Sequence, residues 1–125
     1  MADMTVDQQR ELLCEHLQMI ETIAGVLSFN YLGDGCFKEP AKSPGIAPMV
    51  QSVADLLGQA KATAAKIGIT APLITQAHAF AMNLAAQSNE VLHDHRGFRL
   101  GDKWIGMCYW TIEKMVNRAY VCVAV

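Results

Sequence analysis

"VDQQRELLCEHLQMIETIAGVLSFNYL", residues 6–32, decides how this chain folds. Leu13, Leu17, Ile20, Ala24, Leu27 and Tyr31 recur at alternating steps of four and three residues. That spacing places one apolar row along a single helix face. Leu12, Met19, Ile23 and Val26 widen the row, so the helix is expected to be covered on more than one side. Thr5, with Gln8 three residues on, is a capping-box signature that fixes the start of the helix. Asp3, Asp7, Glu11 and Glu15 fall four apart along this helix, so like charges stack on it. Such pairs cost on the order of a few tenths of a kcal/mol each. A basic surface facing them would offset that cost.

Outward from this helix, "GDGCFKEPAKSPGIAP" (33–48) reads as the one long loop, because Pro40, Pro44 and Pro48 block a helix through it. Pro48 suits the first turn of a second helix that runs to about residue 67, with Val53, Leu57, Ala60, Ala64 and Ile67 inward. Gly68 is a natural left-handed stop. A third helix follows at once, with Thr70 as its cap, Pro72 in its first turn and Ile69 stapled onto Ile74. It reads to about residue 93, with Ile74, Ala77, Ala81, Leu84, Ser88 and Val91 on one face and Phe80 beside them. The fourth helix opens after "RLGD", capped by Asp102. Its core row is read as Ile105, Cys108, Ile112, Met115, Ala119 and Cys122. Lys103, Lys114 and Arg118 lie to one side and are expected to meet the acidic row of the first helix. The fold expected is a single all-α domain over residues 1–125, an antiparallel up-and-down four-helix bundle.

Hydrophobic residues make up 52% of the 125 and charged residues 18%. This apolar content exceeds what one small domain needs, and a subunit interface would absorb the surplus. The net charge of −2 gives no general attraction to nucleic acid. No uninterrupted apolar core of a secretory leader stands in the first thirty residues, and no membrane span is expected. Cys14, Cys36, Cys108 and Cys122 form no CxxC pair and are read as reduced thiols of a cytoplasmic protein.

The sequence offers residues for four chemistries. Glu90 and His93 have the helical spacing of a carboxylate–histidine metal pair, and His93-Asp94-His95 could join a zinc site. Each lacks further ligands, so no metal and no cofactor are expected. Cys14 with His16 point different ways on a helix, and Cys36 near Asp34 has no obvious base, so no enzyme is expected. His16 reads as solvated and His78 as a core or interface histidine.

"ATAAKIGITAPLITQA" (62–77) resembles the helix-turn-helix family, with Ala64, Gly68 and Ile74 at its small–glycine–aliphatic spacing. That resemblance implies DNA binding. The helix that would read DNA has no arginine or lysine, and phosphate neutralisation supplies most DNA affinity, so nucleic acid is not the expected partner. The longer "AKATAAKIGITAPLITQAHAFAMNLAAQ" (60–87) is similar to the end of the helical domain of β-hydroxyacid dehydrogenases. This implies close helix packing and dimerisation. The cofactor half of that family needs a strand followed by G-x-G-x-x-G, which this chain lacks.

The fourth chemistry is an anion site in "HDHRGFRLGDKW" (93–104). Arg96, Arg99 and Lys103 supply positive charge, beside His93 and His95. Trp104, Tyr109 and Trp110 supply flat faces for a base. The function expected is non-enzymatic: a homo-oligomer holding an anionic, nucleotide-like small molecule at these residues. The alternative is a protein–protein module, an adaptor or inhibitor, in which the 33–48 loop makes the contact.

Overall fold

The computed structural model describes residues 4–32, 46–92 and 100–124, without the side chains of 87–92 and 100–104. Four helices follow one another: α1 (Val6–Tyr31), α2 (Ile46–Lys66), α3 (Pro72–Leu92) and α4 (Leu100–Ala124). No strand occurs among the described residues. Each helix packs on its neighbours in sequence, and α4 closes the ring against α1 in the most extensive of the four contacts. This is the expected all-α bundle.

Helix α1 begins as its sequence dictates. The Thr5 hydroxyl accepts from the Gln8 N–H at 3.1 Å, and the Gln8 side chain accepts from the Thr5 N–H at 2.9 Å. Two otherwise orphaned donors are satisfied by one exchange, worth about 1 kcal/mol. The row from Leu13 to Tyr31 is buried throughout. By length and mean hydropathy alone, 1.2 over its best window, α1 could also cross a membrane. In the bundle its apolar row is the core, the arrangement that passes the same test in water.

Helix α2 opens at Ile46, so Pro48 stands inside its first turn and the connection from α1 ends short of the expected residue 48. The helix stops at Gly68, whose φ is +72°. The Ile69 N–H donates to the Ala64 carbonyl at 2.9 Å, and the Gly68 N–H to that of Ala65 at 3.2 Å. This paired closure needs the left-handed region at Gly68. The Ala71 carbonyl, not Thr70, opens α3: it accepts from the Ile74 and Thr75 N–H groups, with Pro72 as the first helical residue. Helix α4 begins at Leu100, so Asp102 lies within its first turn rather than capping it.

The inward row of α4 is displaced from the expected one. Ile105, Cys108, Tyr109, Ile112, Val116, Ala119 and Val123 are buried, whereas Met115 is only partly buried and Cys122 is exposed. Glycine explains the displacement. A Cβ on Gly106 would lie 2.8 Å from Leu32 Cγ and 3.1 Å from the Leu32 backbone nitrogen. Gly106 must therefore face α1, and this turns the row beginning at Tyr109 inward. Further contacts hold the same register. Gln18 donates to the Tyr120 hydroxyl at 3.2 Å, Asn117 donates to Glu21 at 3.1 Å, and the Glu113 carboxylate lies over Gly25. Going from 18 to 21, 25 and 32 on α1 steps α4 back from 120 to 117, 113 and 106, equal steps in opposite directions.

Two alanine substitutions test this seam. Gly106→Ala gains helix propensity but forces backbone apart at Leu32, and should lower unfolding free energy by about 1–3 kcal/mol. Gly25→Ala meets only the mobile end of Glu113 at 3.4 Å and should be neutral or raise it by up to about 1 kcal/mol. Urea unfolding of the two variants checks the contrast; equal effects would contradict the register.

Candidate functional site

With one row of α1 and one of α4 in the core and a second row of each in their seam, a third faces outward. Met19, Val26 and Phe29 point outward from α1 and Met107, Trp110 and Val121 from α4, each between 41% and 54% exposed. The equal-step register sets Trp110 level with Ser28, beside Phe29, and Val121 level with Leu17. Two shallow grooves follow this face. One is lined by Glu15, Gln18, Met19, Thr22 and Ile23. The other is lined by Glu21, Thr22, Gly25, Val26 and Phe29, with Glu113 from α4. They share Thr22 and so run on from each other. Met19 and Val26, expected to widen the buried row, line these outer grooves instead.

Charge is laid out along the same two helices. Asp7, Glu11 and Glu15 are exposed, and with Arg10 they line a groove reaching Ala124 at the end of α4. Lys114 and Arg118 are exposed on α4, and the Lys114 ammonium sits 5.6 Å above the Trp110 ring. A cation over an indole in this way is worth about 0.5–1 kcal/mol at an exposed position. Among the described residues, neither base is joined to the acidic row. The expected pairing fails because of register: Lys114 stands level with Ala24 and Arg118 with Ile20, well past Glu15.

Of the residues expected to form an anion site, Tyr109 and Trp110 are the two whose side chains are described. His93, His95, Arg96 and Arg99 lie outside the described residues. Lys103 and Trp104 lie in the opening turns of α4, their side chains outside the described ones. Tyr109 is in the core, stacked on Tyr31 with ring centroids 6.3 Å apart and planes inclined by 17°. Trp110 faces outward. Tyr109 and Trp110 thus do not share a surface. Glu90 with His93, Cys36 with Asp34, and the 33–45 segment also fall outside the described residues or side chains.

The core itself is polar at one end. Ser28, Asn30, Tyr31 and Tyr109 are buried near the close of α1 and the opening turns of α4. Burial, with Tyr31 and Cys108 alongside, pushes the Tyr109 phenol well above its ordinary range. Among the described residues, its buried hydroxyl has no hydrogen-bond partner. Burial likewise raises the Cys108 thiol, and it raises Cys14 against the pull of Arg10. Thiols held in this way are poor nucleophiles. His78 packs over Gly58, with Nε2 3.2 Å from where a Cβ would stand. His16, expected in solvent, is half-buried, and its Nδ1 has no partner among the described residues. Among the described residues, no three histidine, cysteine or acidic side chains gather as metal ligands would.

Comparison with protein-family models, with curated proteins and with solved structures finds no match to this chain. The orphaned hydroxyl yields a direct test. Tyr109→Phe removes a buried group that costs about 1–3 kcal/mol when unpaired. The variant should unfold at equal or higher urea concentration than the parent, and a clear loss of stability would contradict the assignment.

Proposed function

We propose that this chain is a non-catalytic binding module, a homo-oligomer that docks through the outer face of α1 and α4. The observation that carries this reading is the set of large apolar side chains left exposed on two packed helices: Met19, Val26, Phe29, Met107, Trp110 and Val121. Single exposed apolar side chains are ordinary, whereas several large ones left exposed on the same two helices among charged residues suit an interaction surface. The raised thiols of Cys14 and Cys108 favour a non-catalytic role. Cys14, Cys108 and Cys122 are free thiols, which favours the reducing cytoplasm as its compartment.

A second reading is an anionic, nucleotide-like small molecule held around His93–Trp110. The exposed Trp110 beneath Lys114 favours it, because an aromatic face beside a cation suits a base and its phosphate. On this reading a nucleoside triphosphate raises the melting temperature of the parent, and the rise is lost in Arg96→Ala with Arg99→Ala. An equal rise in the double variant would sink it.

Native mass spectrometry of gently purified full-length chain tests the docking face. The parent should carry bound mass, and Met19→Ala with Phe29→Ala and Trp110→Ala should lose it while keeping the parent's helical circular dichroism. A parent carrying nothing, or a variant retaining the same mass, would overturn the proposal.

A further inference from the structure

We infer that copies of this chain assemble head to tail, with an outer strip of α1 in one copy seated on an outer strip of α4 in the next. The inference rests on the docking reading above and deepens it. It starts from helical phase. At about 100° per residue, Gln8, Glu11, Glu15, Met19 and Thr22 fall on one strip of α1, opposite Leu13, Leu17 and Ile20 of its core row. Met107, Trp110, Lys114, Arg118 and Val121 fall on one strip of α4, opposite Ile105, Ile112 and Val116 of its core row. All ten residues of the two strips are exposed. Arg10, the one base among the α1 acids, lies off the strip.

The two strips have the same spacing, with successive steps of three, four, four and three residues. Rows spaced alike lie against each other turn for turn. This spacing fits in either direction, and side-chain chemistry chooses between them. Antiparallel, Glu11 meets Arg118, Glu15 meets Lys114 and Met19 meets Trp110, with Gln8 and Thr22 against Val121 and Met107. Parallel, Glu11 would meet Trp110 and Met19 would meet Arg118. Glu11 with Glu15, and Lys114 with Arg118, are like charges one turn apart, each pair unfavourable alone. The antiparallel contact gives all four an opposite partner. Val26 and Phe29, exposed further along α1, then run on beside the opening turns of α4 in the next copy. Within the chain, Gln18 pairs with Tyr120 and Glu21 with Asn117. The contact between copies is shifted from that register by nine residues, about 14 Å along the bundle at 1.5 Å per residue. A shift along the bundle does not lead back to the starting copy. Each copy therefore offers its α1 strip to one neighbour and its α4 strip to the other, and the assembly is open-ended.

Sedimentation velocity on the full chain over a concentration series tests the arrangement. The parent should climb with concentration past the size of a dimer, and its self-association should be at least tenfold weaker at high than at low salt. Glu11→Lys with Glu15→Lys should be a monomer, and so should Lys114→Glu with Arg118→Glu. A variant carrying all four reversals should assemble again, because its two strips have exchanged charge. Added to the parent, the Glu11→Lys, Glu15→Lys variant should shorten the assembly, since its intact α4 strip accepts one neighbour and its α1 strip accepts none. Should a reversal disturb folding by circular dichroism, Lys114→Gln with Arg118→Gln should still weaken assembly at least tenfold. A monomeric parent, a parent that stops at a dimer, single-strip variants that assemble like the parent, or a fourfold variant that stays monomeric would overturn the inference. A monomeric parent whose bound mass is still lost on removing Met19, Phe29 and Trp110 would overturn the head-to-tail assembly alone. Bound mass that survives that removal would overturn the docking reading as well.

Discussion

The antiparallel seam of α1 and α4 is the constraint on which the rest of this bundle depends. It is set by the approach of Gly106 to Leu32, where no side chain larger than hydrogen fits without displacement. Gln18 with Tyr120 and Asn117 with Glu21 then repeat the same register down the bundle. These polar bonds are individually modest, about 1 kcal/mol net, and they favour one alignment over its neighbours rather than supplying most of the stability. The bulk of the stability comes from the apolar rows that this register turns inward: Leu13 to Tyr31 on α1, and Ile105 to Val123 on α4. The α2–α3 hairpin, closed by Gly68, covers the other side of that core.

The seam also determines what is left outside. Once Gly106 faces α1, Tyr109 must go in and Trp110 must go out. The same rotation exposes Met107 and Val121. It also holds Lys114 and Arg118 away from Asp7, Glu11 and Glu15. The separation of Lys114 and Arg118 from Asp7, Glu11 and Glu15 and the exposed apolar surface thus have one origin, a register chosen by close backbone approach rather than by charge matching.

Much of this was legible in the sequence. The α1 row, its capping box, the Gly68 stop and the four-helix order all follow from local signals: spacing, a hydroxyl three residues before an amide, and a glycine at a helix end. The phase of α4 was not. Positions 108 and 109, 115 and 116, and 122 and 123 are all apolar, so periodicity supports two rows one residue apart. Only the neighbour of Gly106 decides between them. Thr70 and Asp102 have side chains that can serve as caps, yet Ala71 opens α3 and α4 starts earlier. The candidate site was less legible. A helix flank that carries Met19 and Val26 looks the same in sequence whether it is buried by its own bundle or left open. The basic–aromatic stretch drew Tyr109 and Trp110 together because they are adjacent in the chain, although adjacent helical residues point in different directions.

Amide hydrogen exchange of the full chain tests the central claim most directly. If the α1–α4 seam governs the bundle, the inward amides of α1 between Leu13 and Tyr31 and of α4 between Ile105 and Val123 exchange most slowly and lose protection together. If the α2–α3 hairpin keeps its protection after α1 and α4 have exchanged, the seam is not what the rest of the structure depends on.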